Sequence, residues 1–187
     1  MKFKTFILSA PSGAGKNTII NEILKRRNDI LYSISTTSRI PRENEIDGSH
    51  YHFISKEEFK KKIAAGEFLE WALVLDNYYG TFKSEIDKIF SRKKHAILDL
   101  DIQGALKVKE ENSEVVLIFV MPPNMNELKK RLQERRTDSE AEIEKRLKLA
   151  EKEMEARQKY DYILVNKNLN ETVEELDSII SECAVVP

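Results

Sequence analysis

Apolar residues fall into short continuous runs, separated by longer segments in which apolar positions recur with helical spacing. The runs that are apolar at nearly every position are 6–8, 96–100, 115–121 and 162–165. Strands buried on both faces have this pattern, because neither face meets water. The segments with helical spacing are 18–27, 124–135, 139–160 and 170–183. Such strands and helices in alternation predict an α/β fold with a parallel core sheet flanked by helices.

The segment 35–82 has a different pattern from the rest of the chain. Its apolar and aromatic residues lie in short extended runs that polar turns interrupt. Ser55, with Glu58 three residues later, has the spacing of a capping box and predicts one short helix. We therefore predict one domain, with a core over 1–34 and 83–187 and a small, mostly antiparallel insertion over 35–82. A core with a side insertion suggests two substrates that meet in a cleft.

Length and composition narrow the class of protein. The chain has 187 residues, 34% of them charged, and a net charge of −1. This is the size of one domain, without the positive charge of a dedicated nucleic-acid binder. The longest apolar run, 115–121, is too short to cross a bilayer, and Cys183 is the only cysteine, which suits a reducing cytoplasm. We expect a cytoplasmic protein with no nucleic-acid or membrane partner.

A Gly-rich segment follows the first apolar run and leads into the first predicted helix. It comprises Ala10, Pro11, Ser12, Gly13, Ala14, Gly15, Lys16, Asn17 and Thr18. A strand, a Gly-rich turn, a lysine and a helix in this order are typical of a phosphate-binding P-loop. The backbone N–H groups of such a turn and the helix N-terminus attract anions, and Lys16 would reach the outer phosphates. We therefore predict that this segment binds a nucleoside triphosphate.

Two positions of the segment depart from the P-loop pattern G-x-x-x-x-G-K-[ST]. Ala10 stands at the first position, where a methyl group is a small addition. Asn17 stands at the last position, where a hydroxyl normally ligates Mg²⁺. An amide oxygen can also ligate Mg²⁺, although the longer side chain fits an octahedral site less well. Asn17 is therefore a candidate metal ligand, and Thr18 lies one position too late to replace it.

Further blocks of polar residues extend this pattern over nearly the whole chain. They are Arg39-x-x-Arg42-x-x-Glu45-x-x-Gly48-x-x-Tyr51, Glu70-Trp71, Asn77-Tyr78-Tyr79-Gly80, Asp99-Leu100-Asp101-x-Gln103-Gly104, Arg131-Leu132-x-x-Arg135, Thr137-Asp138-Ser139 and Val165-Asn166. Together with the P-loop, the blocks in this order closely resemble the guanylate kinase family. A P-loop alone occurs in many unrelated enzymes, so the order of the blocks makes the resemblance specific.

The resemblance implies the P-loop nucleoside monophosphate kinase fold, with a GMP-binding insertion and a helical lid near 131–146. It also implies that a phosphoryl group passes from ATP to GMP, or to dGMP, with Mg²⁺ present. The implied GMP-binding residues are Ser35, Arg39, Arg42, Glu45, Tyr51, Glu70, Tyr79, Thr81 and Asp101. Arginine forks and tyrosine hydroxyls suit the phosphate of GMP, and a carboxylate suits the paired N–H donors of guanine.

The same resemblance implies the groups that surround the transferring phosphoryl group. The implied catalytic residues are Lys16, Arg39, Asp101, Arg131, Arg135 and Arg146. Several cations in a closing cleft suit phosphoryl transfer, which depends on positioning and electrostatic stabilisation. Asp101 is also expected to hold Mg²⁺ through a water molecule, and Asn166 is expected to lie near the adenine of ATP.

Two other functions stay open at this point. One is a guanylate kinase-like interaction module that keeps the fold and has reduced or no catalysis. Asn17 favours this module, whereas the intact Gly13, Gly15 and Lys16 argue against it. The other is a related P-loop kinase with a different acceptor, against which Glu70 argues. The sequence is compatible with a homo-oligomer and does not set the oligomeric state.

Overall fold

The computed structural model describes residues 3–74, 76–134 and 139–185. The strands are β1 Thr5–Ser9, β2 Ile30–Tyr32, β3 Thr36–Thr37, β4 His52–Phe53, β5 Phe68–Val74, β6 Asn77–Phe82, β7 His95–Asp99, β8 Val116–Met121 and β9 Tyr162–Val165. The helices are α1 Lys16–Arg26, α2 Lys56–Ala64, α3 Lys83–Ser91, α4 Ile102–Glu111, α5 Met125–Glu134, α6 Glu140–Glu155 and α7 Leu169–Val185. None of the helices in these ranges has both the length and the apolar character needed to cross a membrane.

The core sheet is parallel throughout, with the strand order β2-β7-β1-β8-β9. β1 lies at its centre, where Ile7 is in register with Leu98 of β7 and Leu117 of β8. The four apolar runs correspond to β1, β7, β8 and β9, so the predicted parallel sheet is confirmed. The apolar pattern did not predict β2, which has only three residues.

Both faces of the central strands of the core sheet are buried because helices cover both. Phe6 and Leu8 of β1 belong to a buried cluster that α1 and α7 complete. Ile7, which lies between them in sequence, belongs to a second buried cluster with Ile86 of α3 and Val108 of α4. Burial of these side chains stabilises the sheet and holds the carboxyl ends of β1 and β7 next to each other.

Residues 35–82 form a smaller unit beside the core, here called the side lobe. Its strands have the order β4-β3-β6-β5. The pairs β3–β6 and β5–β6 are antiparallel and β3–β4 is parallel, so the expected mostly antiparallel insertion is confirmed. α2 begins after Ser55, whose hydroxyl accepts a hydrogen bond from the Glu58 N–H at 3.1 Å. Phe59 stacks on Phe68 with 4.2 Å between ring centroids, which gives the lobe a small core of its own.

The side lobe touches the core where β5 packs against α4. Trp71 of β5 is 40% exposed. The Nζ atom of Lys107, on α4, lies 6.0 Å from the centroid of the Trp71 ring, within the range of a cation–π contact. The Trp71 side chain therefore lies at the boundary between the side lobe and the core.

α5 and α6 share a small buried cluster that is separate from the two core clusters. It consists of Leu128, Leu132, Ile143 and Ala150. α6 begins after Ser139, which forms a reciprocal capping box with Glu142, and the predicted helix 139–160 is divided into α6 and a 3₁₀ helix over Ala156–Lys159. The predicted lid near 131–146 includes the end of α5 and the start of α6. Its residues 135–138, with Arg135 among them, lie outside the described residues.

Candidate active site

Three adjoining cavities lie where the carboxyl ends of β1 and β7 face the side lobe. Ligands of open parallel sheets bind at this end of the strands. The P-loop cavity, about 260 Å³, is lined by residues 10–18 and Asp99. The side-lobe cavity, about 280 Å³, is lined by Glu70, Tyr51 and Asp99 among others. The α1 cavity, about 440 Å³, lies between α1 and the side lobe and shares Tyr51 and Asp99 with the side-lobe cavity. All three cavities therefore meet at Asp99.

The P-loop wraps around the first of these cavities. Gly13 and Gly15 have φ angles of 96° and 94°, in the left-handed region that favours glycine. No described residue accepts a hydrogen bond from the backbone N–H of either glycine. The Lys16 ammonium pairs with the Asp99 carboxylate and donates to the Leu100 carbonyl oxygen at 3.3 Å. The predicted anion-binding loop therefore presents N–H donors, with its lysine compensated by Asp99.

The far side of the P-loop is held by two side chains. The carbonyl oxygen of Ala14 accepts hydrogen bonds from Asn166 Nδ2 at 2.8 Å and from Arg131 Nη1 at 3.4 Å. Arg131 Nη2 also donates to the Asn166 carbonyl oxygen at 3.0 Å. A Cβ atom on Gly15 would lie 2.5 Å from Asn166 Nδ2. Gly15 is therefore required by the close approach of Asn166 as well as by its backbone conformation.

These contacts bear on three residues expected to meet ATP. Arg131 and the buried Asn166 lie against Ala14, so both have a part in holding the loop. Arg146 Nη1 donates to the Ser12 hydroxyl at 2.9 Å and so reaches the loop from α6. The expected contacts of Arg131 and Arg146 with phosphate, and of Asn166 with adenine, stay predictions. Asn17 and Thr18 are exposed at the start of α1.

Arg39 is fixed by a bidentate ion pair in the side lobe. Its Nη1 and Nη2 atoms donate to the two carboxylate oxygens of Glu45, each at 2.8 Å. The backbone N–H of Arg42 donates to the same carboxylate at 2.8 Å. These donors lower the pKa of Glu45 from 4.5 to about 2, and Glu45 in turn raises the pKa of Arg39. Glu45 therefore orders the Arg39 guanidinium.

Two tyrosines lie beside this arginine. The guanidinium carbon of Arg39 is 5.6 Å from the centroid of the Tyr51 ring. Tyr51 and Tyr79 form an edge-to-face pair with 6.1 Å between centroids. Arg42 is exposed and lies three residues after Arg39. The four predicted ligands of the acceptor phosphate therefore lie in one region of the side lobe.

Glu70 is a buried carboxylate in the lining of the side-lobe cavity, with 7% of its surface exposed. Burial raises the pKa of Glu70 from 4.5 to about 7; Asp101 contributes to the rise, and Thr81 opposes it. A Cβ atom on Gly104 would lie 3.2 Å from Glu70 Oε2, so this glycine leaves room for the carboxylate. Ser35 lines the same cavity.

Asp101 has a structural part as well as a place in the side-lobe cavity. Its Oδ1 atom accepts a hydrogen bond from the Gly104 N–H at 2.6 Å and so caps α4. A carboxylate at a helix N-terminus satisfies a backbone donor that has no partner within the helix. Asp101 is exposed and also lines the cavity, so its cap leaves it next to a bound ligand.

The oxygen ligands available for a metal fit Mg²⁺ bound to a nucleotide. The Asn17 amide and the Asp99 carboxylate line the P-loop cavity together, and Asp101 lies two residues beyond Asp99. Within the described ranges, no group of three or more His, Cys, Asp or Glu side chains has the arrangement of a metal site. Mg²⁺ in phosphate-transferring sites keeps several waters and takes one or two protein ligands besides phosphate oxygens. The residues present suit that mode of binding.

Asp99 and Tyr32 line the cleft although the sequence predicted no role for either residue. Asp99 belongs to one of the blocks of the resemblance, and the structure shows that it pairs with Lys16 and lines all three cavities. Its place at the end of a predicted strand, beside Asp101, was the available signal. Tyr32 lines two of the cavities, and no motif pointed to it because β2 itself was not predicted.

Comparison with known proteins gives a consistent result over almost the whole chain. The family model described as Guanylate kinase matches residues 2–183. A guanylate kinase of Clostridium perfringens (strain 13 / Type A) is 47% identical over 174 residues, which cover 93% of this chain and 81% of that protein. A guanylate kinase of Thermotoga maritima is 44% identical over 180 residues, covering 96% and 87%.

Solved structures agree with the sequence comparison. The crystal structure of guanylate kinase from Anaplasma phagocytophilum matches with a TM-score of 0.76 and 32% identity, covering 96% of this chain and 85% of that chain. A shikimate kinase from Bacteroides thetaiotaomicron matches with a TM-score of 0.52 and 14% identity, over 95% of this chain and 98% of that chain. The second likeness concerns the fold alone.

Proposed function

The chain is an enzyme of the guanylate kinase family, and we propose on that basis that it transfers the terminal phosphoryl group of ATP to GMP in a Mg²⁺-dependent reaction. One observation supports the proposal above the others. The P-loop cavity and the cavity that contains the buried Glu70 meet at Asp99, so a phosphate site and a base-recognition site adjoin. We place the reaction in the cytoplasm.

On the donor side, the P-loop holds the triphosphate of ATP. The N–H groups of Gly13 and Gly15 point to phosphate oxygens, and the N-terminus of α1 adds its partial positive charge. Lys16 exchanges its ion pair with Asp99 for the outer phosphates. Arg146, together with Arg131 and Arg135 of the lid, stabilises the charge that spreads over the transferring group.

On the acceptor side, Arg39 and Arg42 bind the phosphate of GMP. Glu45 holds the Arg39 guanidinium in one plane, which reduces the side-chain entropy lost when the phosphate binds. The hydroxyls of Tyr51 and Tyr79 donate to the same phosphate. The acceptor oxygen is thereby fixed in position for attack, and positioning supplies much of the rate in this kind of reaction.

Glu70 selects the base. Its ionised carboxylate accepts hydrogen bonds from the ring N–H and the exocyclic amine of guanine, whereas adenine presents a bare ring nitrogen there. Ser35, Thr81 and Asp101 complete the contacts with the base. A buried carboxylate left without donors costs free energy, so AMP is rejected.

Asn17 would offer an amide oxygen to a Mg²⁺ ion bound together with ATP, and Asp101 would hold one of the waters of that ion. When bound, the ion neutralises charge on the phosphates and orients them. The residues of the chain exclude water and fix the two nucleotides as the side lobe (35–82) and the lid (about 131–146) close on the rest of the domain.

The experiment that tests this function is a coupled ADP-release assay with ATP, Mg²⁺ and one of four acceptors: GMP, AMP, CMP or UMP. We expect turnover with GMP and dGMP, and a kcat/KM for AMP lower by roughly 10⁴-fold. AMP turnover within about tenfold of GMP would exclude the assigned role of Glu70.

Asn17 favours one second function, a guanylate kinase-like module that binds a phosphorylated ligand without transfer. Asn17 replaces the hydroxyl that normally ligates the metal. The same assay separates the two, because a module would release no ADP with GMP as the acceptor.

A further inference from the structure

Tyr32 lies in the cleft between the core and the side lobe. It ends β2 of the core sheet, where it is in register with Ile97 of β7, two residues before Asp99. Its half-buried ring packs against the core cluster of β1, α1 and α7. The side chain lines both the side-lobe cavity and the α1 cavity. Tyr32 is thus held by the rigid core while it borders the space into which the acceptor binds.

The Tyr32 hydroxyl has polar neighbours but no hydrogen bond within the described ranges. The groups that act on it electrostatically are the carboxylate of Asp99 and the hydroxyl of Tyr51. Burial raises the pKa of Tyr32 well above its ordinary value, and both neighbours raise it further. The phenol therefore keeps its proton and can donate one hydrogen bond to a ligand.

A ligand at this point has to supply an acceptor atom. Asp99 is engaged with Lys16 on the P-loop side, and Tyr51 lies beside Arg39 on the acceptor side. The Tyr32 hydroxyl has both groups as neighbours and lines the same two cavities. In the proposed function, the phosphate of the acceptor approaches the donor in this region. Phosphate oxygens are strong acceptors, and hydrogen bonds to charged groups are the stronger ones.

We propose that the Tyr32 hydroxyl is a hydrogen-bond donor to the phosphate of the nucleoside monophosphate acceptor, and so a binding residue in addition to the arginines and tyrosines of the side lobe. The inference rests on the proposed function. Unlike those residues, Tyr32 belongs to the core, so its contact ties the acceptor phosphate to the core sheet, which also carries the P-loop after β1. The contact therefore aligns the acceptor phosphate with the donor.

The test is Tyr32→Phe, which removes one oxygen and keeps the packed ring. Tyr162→Phe is a matched control, because Tyr162 of β9 is another half-buried tyrosine packed against the same cluster, and its hydroxyl contacts the sulfur of Cys183 at 3.5 Å instead. For Tyr32→Phe we expect kcat/KM for GMP to fall by about 10- to 100-fold, the range for loss of a hydrogen bond to a charged group. The KM for ATP should stay within about twofold of the unaltered enzyme, since the P-loop supplies that binding.

Calorimetric titration with GMP alone gives a second readout that needs no turnover. We expect weaker GMP binding in Tyr32→Phe, with Tyr162→Phe equal to the unaltered enzyme. Unchanged GMP binding and unchanged kcat/KM in Tyr32→Phe would overturn the inference, and so would an equal loss in both variants. If the unaltered enzyme did not phosphorylate GMP at all, the proposed function would fall and this inference with it.

Discussion

The ionisation of Glu70 depends strongly on its burial. Burial raises its pKa to about 7, and in the proposed function only the ionised form accepts both donors of guanine. We expect kcat/KM for GMP to fall as the pH falls below about 7, approaching tenfold per pH unit. In the proposed complex, bound guanine favours the ionised form of Glu70. The kcat at saturating GMP should therefore fall only at a lower pH than kcat/KM. Steady-state kinetics over a pH series measures the pH dependence of both kcat/KM and kcat.

Loss of folded protein does not account for the expected fall of kcat/KM at low pH. A raised pKa in the folded state means that protonation of Glu70 stabilises the folded protein. That contribution is complete below the unfolded value of 4.5 and is lost as the pH rises through about 7. Glu70→Gln is the control: it should lower kcat/KM for GMP and remove the fall of kcat/KM at low pH. If that fall persisted in Glu70→Gln, another group would be responsible for it.

Asn17 is the residue at which this chain departs most from the P-loop pattern. A hydroxyl is a compact Mg²⁺ ligand, and the longer amide fits an octahedral site less well. We expect Asn17→Ser to raise turnover when Mg²⁺ is limiting, and to change ATP affinity less, because the backbone N–H groups and Lys16 supply most of that binding. The measurement is the turnover of both proteins across a Mg²⁺ titration. If the two proteins gave the same curve, asparagine would serve as well as serine at this position.

The candidate site could be predicted from the sequence where chemistry is tied to a motif. Lys16 follows a Gly-rich turn and Arg39 begins a spaced block, so the pattern pointed to both. Tyr32 reaches the cleft because β2 pairs with β7. The Lys16–Asp99 pair forms because β1, which precedes the P-loop, pairs with β7. No local sequence pattern states either pairing. The contact of Asn166 with Ala14 joins residues 152 positions apart, and no sequence pattern predicts it.

At the scale of elements, the P-loop is supported by α5 and by the segment after β9. Gly15→Ala would bring a Cβ atom to 2.5 Å from Asn166 Nδ2, in a backbone conformation with φ of 94°. We expect the loop to shift and kcat/KM for ATP to fall by roughly 100-fold, since small misplacements in such sites have effects of that size. Nucleotide titration and coupled turnover measure the loss.

Gly66→Ala is the matched control for this variant. Gly66 also has a left-handed φ, of 67°, but a Cβ atom there has nothing within 4 Å. The change should lower the free energy of unfolding by about 1 kcal/mol, the cost of a left-handed residue other than glycine, and leave kinetics unaltered. Equal kinetic losses in the two variants would indicate a general effect of alanine in the left-handed region, and not an effect of the contact with Asn166.

Long apolar runs identified most of the core, whereas short or interrupted elements were missed. β2 has three residues, too few for a periodic signal. α4 carries Gly104 in its first turn, and glycine is a poor helix former; the space that Glu70 occupies explains its presence. The division of α6 from the following 3₁₀ helix was not predicted, because the amphipathic pattern continues through it.

At the scale of the molecule, most of the ligands assigned to GMP lie on the side lobe, whereas those assigned to ATP lie on the core and the lid. The α1 cavity of about 440 Å³ separates α1 from the side lobe. We expect the lobe and lid to close when both nucleotides are bound, because the reacting groups have to come together and water has to be excluded. Solution scattering should give a smaller radius of gyration with GMP and a non-hydrolysable ATP analogue. An unchanged radius would exclude closure.

Trp71 gives the enzyme a built-in optical reporter. It is the only tryptophan in the chain, and its half-exposed ring lies between the side lobe and Lys107 of the core. Any rotation of the lobe alters the water and the charge around the indole, and therefore its emission, without an attached dye. Stopped-flow fluorescence should thus resolve closure from chemistry in the unaltered protein, and Trp71→Phe should abolish the signal while catalysis persists.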